Sequence, residues 1–124
     1  MAIPSGSGTE VLKNIMWEDV TTSADAIFTG VQHHIYTIIS IIVTNIHSSS
    51  VTVTGNIRGY DSYGSANDQY FRIFRSDIPQ NGTFVFNDKF CLYGQGLNSG
   101  AQKLHFSTTN VSDIVMTYID QDFT

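Results

Sequence analysis

The chain has 124 residues, enough for one domain core and little more. Hydrophobic residues make up 41% and charged residues only 14%, so a core can be buried while the surface is left largely to Ser, Thr, Asn, Gly and Gln. Six basic against eleven acidic residues give a formal charge of -5, with the basic ones spread along the sequence, a balance that sets the chain against duplex DNA, whose affinity comes mainly from phosphate neutralisation.

The first ten residues, MAIPSGSGTE, are too poor in apolar side chains to order by themselves and read as an extended arm (1–10) that lies on something else. They lack the charged start and apolar core of a signal peptide, so the expectation is a protein made and kept in a reducing cytoplasm. The remainder, 11–124, reads as a single β-sandwich domain.

From residue 10 onward β-branched and aromatic side chains come in short runs separated by Gly, Asn, Asp and Ser, which predicts strands joined by turns. The runs are 11–17, 26–29, 34–46, 51–60, 69–75, 83–86, 89–93, 102–108 and 111–119. Thr21 to Ala26 can form one short turn, and no segment carries apolar residues at helical spacing with caps.

In 34–46 both faces are apolar, with Ile35, Ile39, Ile41 and Val43 on one and Tyr36, Ile38 and Ile42 on the other. Such a strand is covered on both sides, by the same chain or by another subunit. The stretch IYTIISIIV is under half of the ~20 residues a membrane-spanning helix needs, so it predicts a buried strand and no membrane partner.

The run 51–60 alternates cleanly, with Val51, Val53 and Ile57 on one face and Thr52, Thr54, Asn56 and Arg58 on the other. FVF-ND-KFCL at 84–92 has the pattern of a tight hairpin turning at Asn87 and Asp88, with the one cysteine, Cys91, read as a small buried hydrophobe. Leu104 and Phe106 share one face of the next strand, and Ile114, Met116 and Tyr118 share one face of the last.

Many short strands without helices for crossovers predict an all-β, antiparallel two-sheet sandwich, jelly-roll-like or immunoglobulin-like. One cysteine excludes an intrachain disulfide and the multi-cysteine metal patterns.

Chemistry-bearing motifs are scarce. His33 and His34 are adjacent, and neighbours on a strand face opposite ways, so they do not ligate one metal together. His47 and His105 stand apart. Asp61, Asn67 and Asp68 in the loop GYDSYGSAND (59–68) are oxygen ligands of the kind calcium accepts, but their spacing misses the EF-hand pattern and turn formation explains them. There is no GxSxG elbow, no HExxH and no phosphate-cradling glycine loop. The expectation is therefore no catalytic residue, no metal and no cofactor, with hydrolysis kept only for the case that His33 or His34 meets Asp61 or Asp68 in space.

The same loop mixes Tyr60 and Tyr63 with Ser, Gly and Asn, a composition suited to recognising protein or sugar, or simply a loop anchored by tyrosines. Together with Ile3 and Pro4 of the arm, Tyr60 and Tyr63 are the candidate interface residues.

Three stretches, IPSGSGTEVL (3–12), IISIIVTNIHSSSVTVTGNI (38–57) and IPQNGTFVFNDKFCLYGQG (78–96) followed by DIVMTYID (113–120), resemble in order the small β-sandwich virion proteins of tailed bacteriophages. The resemblance is one of hydrophobic spacing and turns, and it carries no catalytic signature. It implies a homo-oligomeric virion protein, made in the host cytoplasm, that binds the major capsid protein as a capsid cement or decoration protein. A neck, tail or fibre-adaptor protein is the alternative within that class, and a carbohydrate-binding module for host-surface polysaccharide the alternative outside it.

Overall fold

The computed structural model describes residues 9–61, 66–94 and 102–122, apart from the side chains of residues 61 and 66–68. Nine strands follow one another: β1 (Thr9–Val20), β2 (Ala26–Thr29), β3 (His34–Asn45), β4 (Val51–Asp61), β5 (Ala66–Ile78), β6 (Thr83–Phe86), β7 (Phe90–Tyr93), β8 (Lys103–Thr108) and β9 (Ser112–Asp122). Each matches one of the nine β-rich runs. Thr9 and Glu10, assigned to the arm from sequence, open β1 and pair with Asp122 and Gln121. The turn expected at 21–26 is closed by Thr21 N–H donating to Ala24 C=O at 3.1 Å.

The strands form two antiparallel sheets, one in the order β1-β9-β3-β6 with β7 also on β3, the other in the order β2-β8-β4-β5. This is the jelly-roll order, in which the first and last strands are neighbours. An immunoglobulin sandwich would instead set its first two strands side by side. The sequence left these two topologies open, because alternation says which side chains go inward and nothing about which strands pair.

β6 and β7 do not form the expected hairpin. Both lie antiparallel to β3, β6 along Ile41–Thr44 and β7 along Ile35–Ile38, so they are two halves of one edge strand interrupted at residues 87–89. The Asn-Asp pair breaks the strand instead of reversing it.

β3 carries a register shift between Ile38 and Ser40. The extra residue flips the alternation, so Tyr36, Ile38, Ile41 and Val43 all face the core. The sequence reading, which assumed uninterrupted alternation, placed Ile41 and Val43 opposite Tyr36 and Ile38.

Between the sheets the core is apolar and tightly filled. Val51, Val53, Leu104, Phe106, Ile114 and Met116 are all buried, each aliphatic worth about 1.5–3 kcal/mol on leaving water. Phe74 sits among Phe84, Phe86 and Phe106, with ring centroids 5.2, 5.0 and 6.1 Å away. One end of the core is closed by buried Asn45, whose amide donates to the carbonyls of Ser49, Ile78 and Pro79 at 2.9, 3.0 and 3.1 Å. Its Oδ1 accepts from the His47 amide at 2.7 Å.

Candidate docking faces

Strand alternation that fills the core also decides what each sheet shows to solvent. On the outer face of the first sheet the register lines up Met16, Val115, Ile42 and Val85 across four strands. A second line runs Leu12, Ile119, Thr37, Cys91, and a third runs Glu10, Gln121, Ile35, Tyr93. Between the first two lies a polar row of Asn14, Thr117 and Ser40. Leu12 and Met16 are 67% and 69% exposed, and Val85 and Tyr93 about half exposed. Contiguous apolar surface of this kind marks an interaction site more often than isolated exposed hydrophobes do.

At one end of that face β1 loses register between Trp17 and Val20, and Asp19 takes the left-handed backbone at φ 55°. Its amide donates to Asp113 Oδ1 at 3.1 Å. The irregularity opens a depression of about 440 Å³, lined by Met16, Trp17, Glu18, Asp113, Ile114 and Val115. It continues the Met16 line and could seat a projecting side chain.

The outer face of the second sheet is different in character. Register places three rows of three side chains side by side: Lys103, Arg58 and Tyr70; His105, Asn56 and Arg72; Ser107, Thr54 and Arg75. Four of the six Lys and Arg residues of an acidic chain therefore share this face. The Arg58 guanidinium lies 4.7 Å from the Tyr70 ring centroid, and that ring meets His105 edge-on at 5.4 Å. His105 Nε2 pairs with Asp25 Oδ2, while its buried Nδ1 has no hydrogen-bond partner among the described residues.

A third polar group stands at the mouth of the sandwich. Asp120, almost buried, receives His34 Nδ1 at 2.6 Å and Lys13 Nζ at 2.9 Å, and Asp122 lies 3.8 Å from His34 Nε2. The hydrogen bond and charge of Asp120 raise the Lys13 pKa above its usual value. Tyr36 and Tyr118 pack beside them and are raised by burial. A lysine and a histidine from two strands share the one carboxylate of a third, which suits a bracket between β1, β3 and β9. The Tyr36 hydroxyl is held by the Val31 amide at 3.0 Å, and among the described residues no Ser, Thr or Cys bonds to His34.

No protein-family model matches the chain, and no curated protein does. Among solved structures it is similar to the CBM22-1–GH10 modules of Clostridium thermocellum endo-1,4-beta-D-xylanase 10B, complexed with xylohexaose, at 10% identity and a TM-score of 0.51. The match covers 95% of this chain and 26% of that one, so the chain spans about a quarter of the xylanase chain's length. An empty virus-like particle of Cowpea Mosaic Virus aligns at 12% identity and a TM-score of 0.48, over 92% of this chain and 80% of that one. Disulfide-linked pili of Bacillus endospore appendages align at 9% identity and 0.43, over 99% and 96%. At such identities the shared property is the β-sandwich fold.

Of the residues singled out from sequence, Ile3, Pro4 and Tyr63 lie outside the described residues, and Tyr60 is half-buried near the end of β4. The side chains of Asp61, Asn67 and Asp68 also lie outside them. The histidines do not converge: His33 stands exposed in a left-handed turn at φ 68°, His34 binds Asp120, and His105 binds Asp25 on the other sheet. Among the described residues no group of three or more His, Cys, Asp or Glu is placed to hold a metal. Cys91 is exposed, not buried as expected, because Leu92 takes the inward position of β7. Sequence reading missed the clustered cations, since Arg58 and Lys103 become neighbours only through β4–β8 pairing.

Proposed function

We propose that the chain is a virion structural protein, a capsid cement or decoration protein of the tailed-phage kind, and not an enzyme. It docks on the particle through the outer face of the β1-β9-β3-β6/β7 sheet. The observation that carries this reading is the line Met16, Val115, Ile42, Val85, with Leu12 and Ile119 beyond the polar row. Apolar residues there cross the whole width of a sheet whose outer face nothing in the chain's described residues covers. An apolar face with a depression at its margin suits repeated contact with identical subunits, either the major capsid protein or copies of the chain itself.

The phage-specific part rests on the sequence resemblance. The decisive experiment counts copies in purified virions by quantitative mass spectrometry against the major capsid protein. Hundreds of copies support the cement or decoration role. A dozen move the protein to the neck, tail or fibres, and absence from the particle overturns the reading.

A further inference from the structure

We infer that the outer face of the β2-β8-β4-β5 sheet is a binding site for an acidic polysaccharide, a sugar polymer bearing carboxylate or sulfate groups. The face gathers Lys103, Arg58, Arg72 and Arg75 although the chain as a whole is acidic. Lys103 and Arg58 are direct cross-strand partners, an arrangement of like charges that weakens a sheet. Arg72 and Arg75 are exposed on the edge strand and make no ion pair with a described residue. Among the described side chains bordering the face, Asp25 is paired with His105, and Asp77 accepts a hydrogen bond from the Thr52 hydroxyl at 2.6 Å.

The geometry selects among polyanions. Adjacent strands stand about 4.8 Å apart and same-face residues along a strand about 7 Å apart, so the cations form a sparse grid. Duplex DNA presents a charge about every 1.7 Å of axis, far denser than four spaced cations neutralise, and the net charge of -5 opposes it. Single-stranded nucleic acid is held by successive stacking aromatics, whereas the three rows hold one, Tyr70. Between the cations stand Asn56, Thr54, Ser107 and Thr29, short hydrogen-bonding groups matched to a hydroxyl-rich chain. Tyr70, 55% exposed, offers ring surface to the C–H face of a sugar. This face is opposite the apolar one, so particle docking and glycan binding do not compete.

The test uses the full chain and calorimetric titration with alginate oligosaccharides and with dextran sulfate, against neutral dextran and a single-stranded oligonucleotide. Saturable binding of either acidic polymer, none of dextran, and at least a tenfold loss in Arg72→Gln/Arg75→Gln are expected. Circular dichroism and the melting temperature of that variant should match the parent. Tyr70→Ala should weaken binding without changing its salt dependence, whereas the arginine pair should flatten that dependence. Binding unchanged in the arginine variant, or absent for both acidic polymers, overturns the inference. Tighter binding of the oligonucleotide than of either polymer also overturns it and assigns the face to nucleic acid. Virion copy number is measured separately, so failure here leaves the docking proposal standing.

Discussion

Gly55 on β4 and Phe74 on β5 are cross-strand partners, and a Cβ on Gly55 would lie 2.5 Å from the Phe74 ring. The ring cannot retreat, because Phe84, Phe86 and Phe106 surround it. Gly55→Ala should therefore cost about 1–3 kcal/mol, the range for overpacking a filled core. Urea unfolding of Gly55→Ala, and of the same variant with Phe74→Leu, checks this: the second change should recover part of the loss.

Asn45 should tolerate neither of its two nearest substitutes. Asn45→Ala leaves the Ser49, Ile78 and Pro79 carbonyls without their donor, at a cost of about 1–3 kcal/mol. Asn45→Asp sets a carboxylate against those same oxygens and should be worse near neutral pH. Thermal melts of the two variants give the order, and an Asp variant as stable as the parent would refute it.

The apolar face should be dispensable for folding and necessary for attachment. Met16 and Val85 are exposed, so Met16→Asp with Val85→Asp should change stability by roughly 0.5 kcal/mol or less per site. In a reconstitution assay with particles lacking the protein, the double variant should lose attachment by tenfold or more. Cys91, on the same face and exposed, should react with a charged maleimide without denaturant, and the labelled protein should fail to attach.

Alkaline pH should weaken the fold. Lys13, Tyr36 and Tyr118 all have folded-state pKa values raised above their ordinary 10.5, 10.0 and 10.0. A raised value means the folded state holds the proton more tightly. The stabilisation is complete below the ordinary values and is lost as pH climbs through the raised ones. Urea midpoints measured from pH 8 to 11.5 should fall above about pH 10, and Lys13→Met should flatten part of that fall.

Strand positions were legible from the residues alone because each run carries its own periodicity and its own turn residues. The faces of β4, β8 and β9 were legible too: Val51 and Val53, Leu104 and Phe106, Ile114 and Met116 all point inward as their alternation predicts. What local pattern could not carry was pairing. The register shift at Ile39 reversed half of β3, and β7 went to Ile35–Ile38 of β3 instead of back onto β6. The clustered cations were hidden for the same reason, since Arg58 and Arg72 meet only through the register of β4 on β5, and Lys103 joins them only through pairing of β4 with the distant β8.

The adjacency of β1 and β9 governs when the fold can be completed. Glu10 and Gln121, whose side chains meet at 3.2 Å, are 111 residues apart along the chain. A ribosome adding about 5–20 residues per second leaves β1 without its partner for several seconds, its core-packed residues Ile15 and Trp17 bare. Closure of so long a loop also makes non-local β pairing slow. The nascent strand therefore faces a choice between waiting and aggregating, and Lys13, Glu18 and Asp19, which interrupt its hydrophobic run, keep it soluble until the last strand arrives.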